Sequence, residues 1–139
     1  MASKSFSQSF SGVPASLQVS RKFINAVLSE MGWLDREIDL QLAIGEVTQN
    51  VIRYGFQGGR EDGKMTISIT IDEERMVCDI TDDAPASNPD DWMIKAEARR
   101  PDEGGYGLSI IQAIAEEYSV HPNENGNLSH LVFSRLAKE

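Results

Sequence analysis

The sequence predicts an α+β two-layer sandwich, with three main helices over one face of a mainly antiparallel, mixed sheet. Three observations carry that prediction. Met65, Ile67, Ile69 and Ile71 alternate strictly with Thr66, Ser68 and Thr70, the period-two pattern of a strand covered on one side and wet on the other. The turn that follows, Asp72-Glu73-Glu74-Arg75, is too short for a crossover, so Met76 to Thr81 must return antiparallel beside it. Three other stretches place their apolar residues at helical spacing instead.

In chain order, Phe6, Gln8 and Phe10 alternate with serines and predict a short strand with one partly buried face. Pro14 suits the first turn of a helix, and Leu17, Ile24, Val27, Leu28 and Met31 carry that helix to Gly32. Trp33, Leu34 and Asp35 connect it to a second helix, with Asp35 as the expected N-cap. In this second helix Leu40, Ile44, Val47 and Val51 form one stripe, the pattern of a face pressed on a core, and Gly55 lies near its end. Residues 57–63 contain three glycines and no periodicity, which predicts a loop. After the hairpin comes a long polar loop from Asp82 to Glu103, with one turn of helix around residues 93–98. Leu108, Ile111, Ala115 and Tyr118 predict the third helix. Val120 begins a short strand, and Asn125-Gly126 turns. In the closing strand Leu128, His130, Val132 and Ser134 alternate with Ser129, Leu131, Phe133 and Arg135, so that either set suits the inner face and Leu131 and Phe133 favour the second.

A length of 139 residues suits one domain, residues 1–139, able to bury a core without metal or disulfide support. The single cysteine, Cys78, cannot form an internal bridge, so nothing points to an oxidising compartment. No run reaches the ~18 apolar residues of a membrane span, and Met1 to Phe6 lacks an export signal's pattern. The expected location is the cytoplasm, away from the membrane. Twenty-two acidic against thirteen basic side chains give a net charge of −9, which repels a nucleic-acid backbone unless the basic residues cluster. They do not.

Three features can do chemistry together. Glu46, Asn50 and Arg53 form a second stripe on the flank of the second helix, where a cleft would lie, although the same spacing suits a solvated flank. Asp82, at a strand end, accepts hydrogen bonds only and can receive the amine of an adenine, or serve as an ordinary turn residue. Gly104, Gly105 and Gly107 open the third helix, where free N–H groups and the helix dipole favour an anion; a plain flexible loop reads the same way. Asn50 offers a carbonyl oxygen suited to Mg²⁺, and Glu46 one turn earlier can take a proton from an attacking hydroxyl. A hairpin, not a parallel crossover, precedes the glycines, which argues against a dinucleotide-binding unit.

Taken in order, Glu46-x-x-x-Asn50-x-x-x-Tyr54-Gly55, Asp82-Asp83-Ala84-Pro85 with Asn88-Pro89, Gly104-Gly105-Tyr106-Gly107-Leu108 and Gly126-Asn127-Leu128-Ser129 resemble the anti-sigma factor serine/threonine-protein kinases. These belong to the GHKL, or histidine-kinase-like ATPase, superfamily. The resemblance implies that superfamily's α/β sandwich, with ATP and Mg²⁺ held between the second helix and a lid. It implies phosphoryl transfer to a serine or threonine of a STAS-type anti-anti-sigma protein, and sequestration of a sigma factor by the same molecule. Carried onto this chain, Glu46 is the general base and Asn50 the Mg²⁺ ligand. Asp82 reads adenine beside Ala84, and Gly104, Gly105, Gly107 and Leu108 form the phosphate side. Arg99 or Arg100 adds lid charge, and Ser129 lies near the base. Relatives of this kind often pair, and the Phe6 strand offers an edge for a homodimer.

One position departs from the pattern. The family prefers Asp-x-Gly after the adenine aspartate, whereas residue 84 is alanine, whose Cβ narrows the pocket or strains the turn if φ is positive. A second reading therefore stands beside the first, a catalytically inactive nucleotide-sensing module that only binds protein partners. A third, a metal-dependent hydrolase, would use Asp82, Asp83, Asp90 and Asp91.

Overall fold

The computed structural model describes residues 2–85 and 107–138. Strand β1 (Lys4–Gly12) leads to helix α1 (Ser16–Met31), a 3-10 turn (Leu34–Arg36) and helix α2 (Glu37–Asn50), which runs on into a π-helical turn (Val51–Gly55). Strands β2 (Arg60–Ile71) and β3 (Arg75–Asp82) form the hairpin. Helix α3 (Gly107–Ile114), β4 (Glu117–Asn123) and β5 (Gly126–Ser134) complete the described chain. The long loop, its expected turn at 93–98, Asn88-Pro89, Arg99, Arg100, Gly104 and Gly105 lie outside the described residues.

The strands form one open sheet in the order β1-β2-β3-β5-β4. Every pairing among the described residues is antiparallel, so the mixed character expected of the sheet is absent from them. The hairpin turn closes as the sequence requires: Asp72 Oδ1 accepts the N–H groups of Glu74 and Arg75, both at 2.8 Å. Period-two alternation decides which face is covered. Met65, Ile67, Ile69 and Ile71 of β2, Met76, Cys78 and Ile80 of β3, and Leu131 and Phe133 of β5 are buried together with Leu40, Ile44 and Val47 of α2 and Val51 of the π-helical turn that continues it.

Along β1 and β2 the other face is wet. There Ser5 bonds Thr70 at 3.2 Å, Ser7 bonds Ser68 at 3.1 Å and Ser9 bonds Thr66 at 2.8 Å, a ladder of hydroxyl pairs across β1 and β2. Such cross-strand hydroxyl pairs are a favourable contact for an exposed sheet face.

Three local expectations are corrected. Asp35 does not cap α2: its Oδ2 accepts from Arg135 Nη1 at 2.8 Å, and the helix enters through the 3-10 turn with no side-chain cap. Residues 60–63 belong to β2, because Gly12 pairs with Arg60 across a register shift and the ring of Phe56 packs against Gly12 and Gly63. Helix α3 stops at Ile114, and Tyr118 belongs to β4, where it pairs with Leu131. The helical spacing of Ile111, Ala115 and Tyr118 persists across the break because the first two are buried and Tyr118 packs against the same core.

Gly126 fixes the end of the sheet that carries Asp82. Its φ is +145°, and a Cβ there would sit 1.8 Å from the carbonyl oxygen of Asp82. Gly126→Ala should therefore lower stability by on the order of 3 kcal/mol, through strain at a glycine-only backbone position. Urea unfolding of the two proteins at equal temperature measures it.

Candidate nucleotide site

Asp82 is the last residue of β3, and the parity that buries Met76, Cys78 and Ile80 turns its carboxylate inward as well. It is only 6% exposed. Oδ1 accepts two hydrogen bonds, from the N–H of Ala84 at 3.0 Å and from Asn127 Nδ2 at 3.0 Å. Oδ2 is buried and has no partner among the described residues. Burial pushes the Asp82 carboxyl above the ordinary aspartate range, the Asn127 and Ala84 donors pull it back, and Asp83 adds to the upward push.

Asn127 faces Asp82 directly across the β3–β5 pairing. Its side chain also donates to the carbonyl of Pro85 at 3.3 Å. In the sequence Asn127 stands inside the fourth motif with no role of its own. Its place opposite the aspartate comes from a register between strands some 45 residues apart in the chain. Two residues on, Ser129 is fully buried on the same inner face, and its Oγ has no partner among the described residues.

Ala84 is buried, and it adopts no strained backbone: among the described residues Gln57 is the one non-glycine at positive φ. The strain that the missing glycine suggested is thus absent. Asp83 points away from Asp82, exposed, with Oδ1 accepting the Lys64 N–H at 2.8 Å and lying 3.4 Å from Arg60. The two carboxylates diverge and do not make a shared metal site, while Asp90 and Asp91 lie outside the described residues.

On α2 the stripe of Leu40, Ile44 and Val47 is fully buried, and this sets the flank. Asn50, in the last turn, is buried with its Oδ1 unpartnered among the described residues. Glu46 is half-buried; desolvation pushes its carboxyl above the ordinary glutamate range, with the nearby Arg53 guanidinium opposing. Arg53 itself is exposed. Gly107 and Leu108 are buried at the start of α3, which packs along α2. Hydrogen bonds unite Asp82, Ala84 and Asn127; none among the described residues links Glu46 or Asn50 to that group. A separate hollow of about 380 Å³ lies beyond the C-terminal end of α2, lined by Gly55, Phe56, Gln57, Gly59, Arg60 and Pro85.

The residues present fit a magnesium nucleotide. Five buried side-chain polar atoms lack partners among the described residues, and three of them, Asn50 Oδ1, Asp82 Oδ2 and Ser129 Oγ, belong to residues expected to meet it. All three atoms are oxygens: an amide carbonyl suits a hard cation, and a carboxylate oxygen suits an amine donor.

This fold and this set of residues define a class. The chain belongs to the histidine kinase-like ATPase domain family, whose model matches residues 10–133. It is similar to the serine-protein kinase RsbW of Bacillus pumilus (strain SAFR-032), 27% identical over 122 residues, covering 79% of this chain and 74% of that protein. It is also similar to the serine-protein kinase RsbW of Listeria monocytogenes serovar 1/2a, 25% identical over 121 residues, with 80% and 75% covered. Among solved structures, the histidine kinase domain from the Erythrobacter litoralis EL346 blue-light activated histidine kinase matches with a TM-score of 0.51 at 17% identity. That likeness concerns the fold, and it covers 70% of this chain but 43% of the other. The resemblance read from the four motifs is borne out at the level of family, and the relatives support ATP use and kinase activity at that level. No helix among the described residues is long and apolar enough to cross a membrane.

A carboxyl whose folded pKa exceeds its unfolded value binds more protons when folded, so stability falls as pH rises through that interval. Glu46 and Asp82 are both of this kind. Glu46→Gln should therefore melt at a higher temperature than the parent at neutral pH, with the gap closing towards about pH 3, where the carboxyl is protonated in both states. Thermal melts across that range check the sign.

Proposed function

We propose that this protein is a Mg-ATP-dependent serine/threonine kinase that phosphorylates a STAS-type anti-anti-sigma protein and sequesters a sigma factor, regulating transcription in the cytoplasm. The observation that carries the reading is the set of buried oxygens on Asn50, Asp82 and Ser129 that have no partner among the described residues. Leaving a buried polar atom unsatisfied costs about 1–3 kcal/mol. Three at positions expected to meet one ligand favour a chain shaped to receive it.

Asn50 Oδ1 would hold the metal, Asp82 Oδ2 would accept the amine of the base, and the hydroxyl of Ser129 would lie near the base. When bound, Mg-ATP supplies the phosphoryl group and the charge neutralisation that its transfer requires. The chain supplies the proton acceptor. Glu46, with its carboxyl raised by desolvation, takes the proton from the acceptor's hydroxyl more readily than an ordinary glutamate would at neutral pH. The Arg53 guanidinium opposes that rise. Gly107 and Leu108, with Gly104, Gly105 and Arg99 or Arg100, form the phosphate side of the proposal. Both histidines lie on strands: His130 Nδ1 is 2.6 Å from Asp79, and His121 Nε2 is 2.8 Å from Ser119. Neither sits on a helix as a phosphoacceptor would, which favours transfer to a separate protein.

The second reading, a nucleotide-sensing partner-switching module without catalysis, rests on Ala84, whose buried methyl takes the place of a glycine beside Asp82. One experiment separates the two. With radiolabelled ATP, Mg²⁺ and the cognate antagonist, wild-type protein should transfer phosphate, and Glu46→Gln should lower the rate by about 10²–10⁴-fold while ADP affinity holds. Transfer at the parental rate in that variant removes Glu46 as base. ADP binding without any transfer by the wild type selects the silent module.

A further inference from the structure

We infer that Asn127 is a positioning residue that sets the choice of nucleobase, holding the Asp82 carboxylate so that a 6-aminopurine is accepted and a 6-oxopurine refused. This rests on the nucleotide reading of Asp82 given above. The grip is geometric. Asn127 is 1% exposed and stands opposite Asp82 in the register of β3 and β5. Its Nδ2 reaches Asp82 Oδ1 at 3.0 Å and the Pro85 carbonyl at 3.3 Å, so one amide ties the end of the strand to the start of the following loop. The Ala84 N–H takes up the same Oδ1 from the other side. Gly126, next to Asn127, lets the β5 backbone come so near the Asp82 carbonyl that no Cβ fits between them.

With Oδ1 engaged twice, Oδ2 is the oxygen without a partner among the described residues, and an ionised carboxylate can only accept. An amino group at position six of a purine satisfies it; a carbonyl there sets acceptor against acceptor. That refusal lasts only while the carboxylate stays ionised and oriented, since a protonated or rotated carboxyl can donate to a 6-oxo group. Burial works against ionisation here, and the Asn127 donor opposes that pressure. Among the described residues the other charged groups nearby are Asp83, on the same strand end, Arg60 of β2, whose guanidinium lies 3.4 Å from Asp83, and Lys64 of β2, whose backbone N–H donates to Asp83. Among the described residues, Asn127 is thus the side chain whose hydrogen bond keeps Asp82 an acceptor.

The test uses the full chain, with Asn127→Leu beside the parent. In the absence of nucleotide, the Asp82 carboxyl carbon followed by NMR should titrate at higher pH in the variant. In calorimetry with ADP and GDP, the variant should bind ADP about ten- to a hundredfold more weakly, the loss of a hydrogen bond to a charged group, with the deficit largest at acidic pH. The preference for ADP over GDP should shrink in step. A general loosening of the fold would weaken both nucleotides alike and leave the ratio intact. Asn127→Ser, smaller and still able to donate at shorter reach, should move every quantity the same way by less, and it carries the test should the leucine variant not fold. Parental values of the Asp82 titration and of the ADP to GDP ratio in either folded variant overturn the inference. If the parent binds neither nucleotide, the reading of Asp82 fails and base selection falls with it, an outcome distinct from a parent that binds ADP and variants that match it.

Discussion

The constraint on which this structure depends is the contact between the apolar stripe of α2 and the inner face of the sheet. Leu40, Ile44, Val47 and Val51 are fully buried against residues such as Ile67, Ile80 and Leu131, and close packing leaves a helix in that position little freedom to turn about its axis. Every polar residue on α2 inherits its direction from that contact. Asn50 is carried inside and Glu46 is left half in, without either having to pay for its own placement. The same reasoning applies across the layer: the alternation that buries Met76, Cys78 and Ile80 brings the Asp82 carboxylate inward as the fourth member of the row.

Much of this was legible in the chain itself, and the parts that were not share a cause. Strict alternation from Met65 to Ile71 and the short turn after it left one geometry open, and the structure adopts it. The facing of the closing strand was less readable, because Leu128 and Val132 stand on the opposite face from Leu131 and Phe133; the structure buries Leu131 and Phe133 completely. Element ends were hard to read too. The start of β2 depends on Phe56 resting on two glycines from different strands, and the end of α3 on a hydrogen bond from Glu116 N to the Val132 carbonyl. Asp35 carried a sound local signal for capping, and a distant arginine, Arg135, took its carboxylate instead. Non-local partners decided each of these cases.

The site residues divide along the same line. Glu46, Asn50 and Asp82 could be singled out because their chemistry and spacing form a recognisable order in the sequence. Asn127 could not, since its significance lies in which residue it faces. Ala84 shows the reverse limit: sequence alone raised the question of a strained turn, and the backbone settled it. At this end of the sheet two buried oxygens, Asp82 Oδ2 and Ser129 Oγ, have no hydrogen-bond partner among the described residues. A buried oxygen without a partner weakens a fold unless a further group completes it.

The ladder of hydroxyl pairs on the outer face has a consequence for how one molecule meets another. Ser5, Ser7 and Ser9 satisfy Thr70, Ser68 and Thr66 from within, so water is held in common with the surroundings and its release would gain little. A pair of strands dressed in this way gives a neighbouring sheet no oily ground to stack upon. Along β1 and β2 the outer face can therefore stay bare without inviting layer-on-layer growth.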